Sequence, residues 1–456
     1  MEQEQTQRNQ KLLMTSGSIW KTILLFSIPL IFGNLLQQTY NTVDAMIVGN
    51  YVGSQALAAV GSSTALINLL ISFSQGIAVG SGIIVSQSLG ADKLKDVRVS
   101  VHTSLAIAII LGILISIAGY VFAPTLLKSM NTPAEVMGDS VKYLRTFSFG
   151  LVFNIIYNME AGILNAVGNS KRSLLYLGIA SVLNIFLDLL FIKRFNLGVY
   201  GAAMASNLSQ AISALLAFLF LARVKDIYKV RISKIKLHKE MAIRVIKIGI
   251  PTAIQNTVIS ISNVIMQSSV NVFGAFPMAG FSSFAKIDGF NILPVLSLSM
   301  AITTFVGQNY GAHKIERVKK GMWTTLVMSI IYTMITSLLL YKFSSNVLSL
   351  FTNEVEVIEA GVLASRFFCP FYFLLAIMHS LAGTMRGTGR TVPPMIILLV
   401  SLCAFRIIAV QFIKYIIPHY YTIESVYMLY PISWAIGTIL MVIYAVKADW
   451  LKYGFK

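Results

Sequence analysis

Charge is scarce in this sequence. Only 12% of its 456 residues are Asp, Glu, Lys or Arg, and acids are the rarer sign, 18 against 36 Lys and Arg. A soluble domain carries about a quarter charged residues, so an ordinary soluble fold is excluded. The two cysteines, Cys369 and Cys403, both fall in apolar stretches, which leaves no disulfide framework and no cysteine metal site. The five histidines (102, 238, 313, 379 and 419) are scattered without metal-ligand or nucleophile–base spacing. No Gly-x4-Gly-Lys-Ser/Thr loop is present, so ATP hydrolysis by that route is excluded. The reading is of a non-enzyme without cofactor. The polar opening MEQEQTQRNQKLLMTSGS lacks the apolar stretch and cleavage site of a secretory signal.

What the sequence has instead is apolar length. Hydrophobic residues make up 56% of the chain, and runs of ~20, enough for a bilayer core of ~30 Å, recur throughout. They predict an all-α polytopic membrane protein. Its twelve transmembrane helices lie near 22–48, 56–88, 99–124, 141–166, 174–193, 200–222, 248–273, 279–308, 322–344, 360–385, 392–415 and 427–447. With that count, the termini and the even-to-odd loops share one side, which holds 26 of the 36 basic residues. The positive-inside rule makes that side, and both termini, cytoplasmic. The formal charge of +18 is therefore topology. The stretch RVKDIYKVRISKIKLHK at 223–239 reads as a connection held at anionic lipid headgroups rather than as a nucleic-acid site.

The halves repeat each other. VSQSLGADKLKDV at 85–97 matches VGQNYGAHKIERV at 306–318, a shift of 221. The same shift aligns AGILNAVGNSK at 161–171 with AGTMRGTGRTV at 382–392, while SIPLIFGN at 27–34 meets GIPTAIQN at 249–256 at 222. Six spans return the chain to its starting side, so the halves are a parallel repeat, an arrangement of transporters with substrate near the midplane. The expected division is a six-helix lobe at 1–222, a basic linker at 223–247 and a pseudo-symmetric six-helix lobe at 248–456. GxxxG pairs at Gly76–Gly80 and Gly383–Gly387 read as close helix packing.

Polar residues inside spans are the functional candidates. Asn34, Gln37, Gln38, Asn41 and Asp44 form one stripe on helix 1, and Asn256, Ser260, Asn263, Gln267 and Asn271 form another on helix 7. Helix 4 offers Asn154, Asn158 and Asn165. Single amides are explained by interhelical hydrogen bonds; stripes on equivalent helices of both halves favour a hydrated cavity, lined by Gln37, Asn41, Asn154, Asn158, Asn256, Ser260, Asn263 and Gln267. Only four acids, Asp44, Glu160, Asp188 and Asp288, fall well inside spans. Burying a carboxylate costs about 2.5–3.5 kcal/mol even on a lenient scale. Three of the four lie in the first half and have no acid at the shifted positions, which points to a function housed in one lobe. Asn184 and Asp188, four apart, share a helical face. With a second aspartate from another helix they suit a proton or a small cation. Glu160 lies about 160° around helix 4 from the asparagines. Asp288, two residues from Lys286 but not on its face, fits a structural link as well as a transport role.

At these residues the sequence resembles the multidrug and toxic compound extrusion (MATE) family. The carriers are IP…YNTVDAMIVG in helix 1, the Gln-x-x-Gly-Ala endings Gln87 to Ala91 and Gln308 to Ala312, AGILNAVGNSK, and above all NIFLDLLFIKRFNLGVYGAAMAS at 184–206. The resemblance implies a V-shaped pair of lobes and cation-coupled export of drugs or other lipophilic, often cationic small molecules, the coupling ion being H+ and/or Na+. For the DinF-like branch it implies a coupling site of Asp44, Asn184, Asp188 and Ser206, where many relatives carry threonine. It also implies a helix-1 bend at Pro29. PTAIQNTVISI and FYFLLAIMHS lack the acids of the NorM-like branch, which argues against a sodium site in the second lobe. Asp288 falls where relatives often carry an acid, here in Lys-Ile-Asp. A major facilitator would carry an Asp-Arg-x-Gly-Arg-like loop where GADKLKDVR stands, and a flippase of lipid-linked sugars would lack the helix-5 aspartate motif. A membrane-embedded transferase would need a catalytic His or Asp cluster at a membrane face. The expected setting is the bacterial or archaeal cytoplasmic membrane, with a small-molecule substrate, membrane lipids as surroundings, no nucleic-acid partner and a monomeric chain.

Overall fold

Twelve long helices account for most of the protein. The structure, a computed structural model, describes residues 13–130 and 132–451. In chain order the helices of the first half are α1 (Ile19–Tyr51), α2 (Ser54–Gly90), α3 (Leu94–Ser129), α4 (Ala134–Ala166), α5 (Ser170–Arg194) and α6 (Gly198–Arg223). Those of the second half are α7 (Lys239–Asn271), α8 (Ala275–Gly311), α9 (Ile315–Leu348), α10 (Val355–Gly387), α11 (Val392–Ile416) and α12 (Ile423–Lys447). Each carries an apolar window long enough to cross a bilayer, so every expected span is present. Most run past their apolar windows, because a helix can continue into polar sequence beyond the hydrocarbon. Thus α7 begins at Lys239 and α9 at Ile315, and the end of the basic connection is helical. Arg8, Lys11, Lys452 and Lys456, counted on the cytoplasmic side, lie outside the described residues.

The repeat is written into the turns. Asp92 (φ 54°) and His313 (φ 56°) are non-glycine residues in the left-handed region, and Gly168 (φ 86°) and Gly389 (φ 85°) are glycines there. Both pairs are 221 apart. Each ends a helix by the same device, in which the next amide reaches back five residues: Lys93 N to Ser88 O at 3.0 Å, Lys314 N to Asn309 O at 2.8 Å, Asn169 N to Leu164 O at 2.8 Å and Arg390 N to Met385 O at 3.1 Å. That bond satisfies carbonyls a helix end would otherwise leave bare.

Two compact units are formed. Among the described residues, unit 1 is 13–14 with Ile28–Ala253, and unit 2 is Thr15–Ser27 with 254–451. The changes of unit fall inside α1 and α7, next to Pro29 and Pro251. Unit 1 has an aliphatic core around Ile84, Leu105, Ile155, Ile163 and Leu221, and a second around Val48, Leu127 and Leu144. The connection after α6 is part of the first core: Tyr228 and Val230 are buried, and Arg231 N donates to His102 Nε2 at 3.0 Å. Its cationic side chains, such as Arg231, Lys234 and Lys236, stay exposed, as do Ile232 and Leu237.

Unit 2 is packed around aromatics, Phe281, Phe284, Phe368, Tyr372, Tyr427, Tyr430 and Trp434. Its first residues are clamped by the start of α9: Lys314 Nζ donates to Thr15 O at 2.9 Å, and Arg317 donates to Gly17 O at 2.9 Å and Ser16 O at 3.1 Å. Small residues set the helix crossings in both units. Gly162 on α4 faces the Ala78 carbonyl of α2, and Gly383 on α10, its counterpart at 221, faces the Ser299 carbonyl of α8.

Candidate functional site

Unit 1 brings two carboxyl groups together. Asp44 sits on α1. Asp188 is the last α-helical residue of α5, followed at once by a π-helical stretch, Leu189–Arg194. The wider turn of such a stretch displaces the helix register locally and is frequent at functional sites. Asp44 is 9% exposed, Asp188 0% and Asn184, one turn earlier, 1%. The two carboxyls are close enough to act on each other. Asp44 Oδ1, both Asp188 oxygens and Asn184 Oδ1 are buried and accept no N–H or O–H. Asn184 turns its amide nitrogen to Ser206 Oγ on α6, at 3.4 Å, and leaves its own oxygen buried without a donor. The four expected coupling residues thus come from three helices into one nest.

The nest is an acceptor set short of donors. No Lys or Arg is among the groups that act on either aspartate. A buried acceptor without a donor is costly, and two facing carboxylates are costlier still. A proton held between them, or a small cation taken up by the oxygens, supplies what the protein does not. Three further residues belong here. Tyr40 lies near Gln37, Gln210 and both aspartates, Tyr143 is also near both aspartates, and Gln210 Oε1 is a further buried oxygen without a donor. Helical spacing carried the signal for them. Tyr40 precedes Asp44 by four, Gln210 follows Ser206 by four, and Tyr143 precedes Asn154 by eleven, about three turns.

The other candidates are placed as follows. Pro29 is buried within α1. Gln37 is half-buried and Asn41 is exposed. Asn158 Nδ2 donates to Asn154 Oδ1 at 2.8 Å, so part of the α4 stripe satisfies itself. On α7, Ser260 Oγ donates to the Asn256 carbonyl at 3.0 Å and Gln267 Nε2 to Asn271 Oδ1 at 2.9 Å, while Asn263 is exposed. Glu160 is fully buried with both oxygens unpartnered. Neither aspartate is among the groups acting on it, so it stands apart from the pair.

A family model described as MatE matches residues 29–190 and again 251–410. The chain belongs to the MatE family. The two matches begin 222 residues apart, at Pro29 and Pro251, as the internal repeat requires. The "Probable multidrug resistance protein YoeA" of Bacillus subtilis is 28% identical over 435 residues, 93% of each chain. Among solved structures, one described as the "outward-facing conformation of a multidrug resistance MATE family transporter of the MOP superfamily" superposes with a TM-score of 0.88 at 24% identity, covering 97% of this chain and 98% of that one. Another, "MATE in the bent conformation", gives 0.86 at 23% identity and covers 95% of each. The MatE fold is therefore shared along nearly the whole length.

In the second half of this MatE protein the interior acid is engaged. Asp288 accepts a hydrogen bond from the Tyr372 hydroxyl and feels the charge of Arg406 on α11. Arg406 is 3% exposed, donates from Nε to Ser433 Oγ at 2.8 Å and lies 4.3 Å from the centre of the Tyr430 ring. Lys286 is exposed, over the Phe351 ring, and takes no part. Arg406 and Asp288 are distant in the chain, and no sequence spacing links them. Arg406→Met should destabilise the purified protein by about 1–3 kcal/mol, because it removes the bond to Ser433 Oγ and the positive charge that acts on Asp288. Adding Asp288→Asn should restore most of the loss in thermal melts of the detergent-solubilised protein. Additive losses would show that the two groups are independent.

Proposed function

We propose that the chain is a cation-coupled antiporter of the DinF-like branch that exports drugs or other lipophilic, often cationic small molecules. Its setting is the cytoplasmic membrane, with both termini on the cytoplasmic side, and it works as a monomer. The observation that carries this reading is the Asp44–Asp188 nest, buried, acid-rich and short of donors, on three helices of one unit. Relatives named as multidrug resistance proteins support the substrate class.

Coupling needs one element with two arrangements and a ligand that binds them unequally. Protonation of the pair removes the electrostatic reason for Asn184, Tyr40 and the α1 polar stripe to hold one geometry around it. Pro29 has no amide hydrogen to give to the α1 ladder, so α1 bends there at lowest cost. Uptake of the ion and release of the substrate then favour opposite-facing states. The carboxyl–carboxyl contact favours a proton; the free oxygens of Asn184 and Gln210 leave sodium as the second reading.

Purified protein in proteoliposomes separates these, with the proton and sodium gradients imposed one at a time. Export of a fluorescent lipophilic cation should follow the proton gradient and be abolished by a protonophore. Export driven by sodium alone would exchange one ion for the other. Export driven by neither would remove the coupled-transport reading.

A further inference from the structure

We propose that Arg386, with Ser299 and His379, forms a binding site for an oxyanion, a carboxylate or a phosphate, inside unit 2. At the repeat shift of 221, His379 and Arg386 stand where α4 carries Asn158 and Asn165. Unit 2 thus presents a basic pair on the helix whose counterpart in unit 1 presents neutral amides. Both residues are 9% exposed, and Ser299 on α8 is 2% exposed. Arg386 Nη2 donates to Ser299 Oγ at 2.9 Å, and Ser299 in turn donates to the His379 carbonyl at 2.6 Å. The arginine side chain therefore leans back along α10 towards His379, as helical side chains do.

The backbone beneath is fixed. A Cβ on Gly383 would meet the Ser299 carbonyl at 2.5 Å, and one on Gly387 would meet Val306 at 2.6 Å. Thr303 Oγ1 is also tied to Gly383 O at 2.9 Å. The guanidinium is held by a contact between α8 and α10 that has no room to shift.

What the site lacks is an anion. A guanidinium stays charged and offers five N–H groups, and burial of such a charge without a partner is strongly unfavourable. Among the described residues the one ion pair is Lys319–Glu316. Asp288 is engaged by Tyr372 and Arg406, and no acid is among the groups acting on Arg386. Its titratable neighbour is instead His379. Arg386 lies in the last turn of α10, where the helix dipole favours a cation. Its bond nevertheless goes to Ser299 on another helix and not to the free carbonyls of α10. The remaining guanidinium nitrogens are not among the sealed, unpartnered polar atoms, so they can be reached. A planar oxyanion matches that fork through two parallel bonds.

The claim concerns binding at rest and stands apart from ion coupling, so either can fail alone. Thermal unfolding of the full chain in neutral detergent tests it, with sodium phosphate titrated against sodium chloride at equal ionic strength. The wild-type midpoint should rise saturably by about 2–4 °C. Arg386→Gln should lose the rise, Lys320→Gln, an exposed charge loss of the same size, should keep it, and Arg386→Lys should show a smaller rise because it lacks the fork. The lysine variant carries the test if the glutamine variant does not fold. The source of the anion is read by mass spectrometry of protein released from phosphatidylglycerol and phosphatidylcholine nanodiscs. Phosphatidylglycerol retained by the wild type and lost from Arg386→Gln assigns a lipid headgroup; no retained lipid with an intact phosphate effect assigns a soluble oxyanion. Equal response to phosphate and chloride, or an undiminished rise in either Arg386 variant, would overturn the site.

Discussion

Asp44→Asn protein should accumulate and melt at or above the wild-type temperature, yet lose gradient-driven export by at least about tenfold, a barrier change of ~1.4 kcal/mol. The two halves of that expectation come from the same geometry. Asp44 Oδ1 and both Asp188 oxygens are buried acceptors without donors. An asparagine at position 44 brings N–H groups to that nest and removes one of two facing charges, so the fold gains hydrogen bonds where it had none. What it cannot do is take up and release a proton. The substitution fixes the pair in its neutral arrangement and abolishes the unequal ion affinity that drives a two-state element. Asp188→Asn should behave alike. Stability and function then move in opposite directions, as at sites held in an unfavourable state for the sake of activity. Transport in proteoliposomes alongside thermal melts decides it. A fall in melting temperature that tracks the fall in export would make the aspartates structural, and full export by both variants would remove them from the mechanism.

Much of the fold was legible because the bilayer imposes a direct demand on sequence, an apolar run of a definite length. The 221-residue repeat was legible for a different reason. It preserves local devices, and the structure returns them at Asp92 and His313, at Gly168 and Gly389, and at Gly162 and Gly383. Helix ends were less legible, since hydropathy reports where the hydrocarbon stops and not where the backbone stops being helical; α7 and α9 both begin earlier than their apolar runs. In the nest, Asp44, Asn184 and Asp188 stood out because charge and amides are rare inside spans. Tyr40 and Gln210 did not, because a tyrosine or a glutamine in an apolar helix has many ordinary uses. The π-helical stretch after Asp188 has no signature in residue type. The Arg406–Asp288 link depends on helices far apart in the chain, and periodicity speaks only to neighbours on one helix.

Gly76→Ala should cost the protein about 3 kcal/mol, although Gly→Ala inside a helix ordinarily gains up to ~1 kcal/mol through propensity. The reversal of sign follows from what faces the glycine. A Cβ built on Gly76 would run into the backbone nitrogen and Cα of Ala253 on α7, and one on Gly80 would meet the same two atoms of Gly249 at 2.5 Å. Two pairs of small residues, each four apart, therefore lie against each other, and the GxxxG motif of α2 is half of a reciprocal contact. Backbone atoms cannot rotate away as a flexible side chain can, so the strain must be taken by separating the helices and losing dispersion contacts along their length. Gly76→Leu should yield no folded protein. Gly61 on the same helix and Gly289 on α8 face open space, with nothing near a would-be Cβ, and alanine there should leave the protein as stable or slightly more so. Melting of the three alanine variants in one detergent compares these values directly. A Gly76→Ala protein as stable as Gly61→Ala would mean that α2 and α7 do not approach as closely as this packing requires.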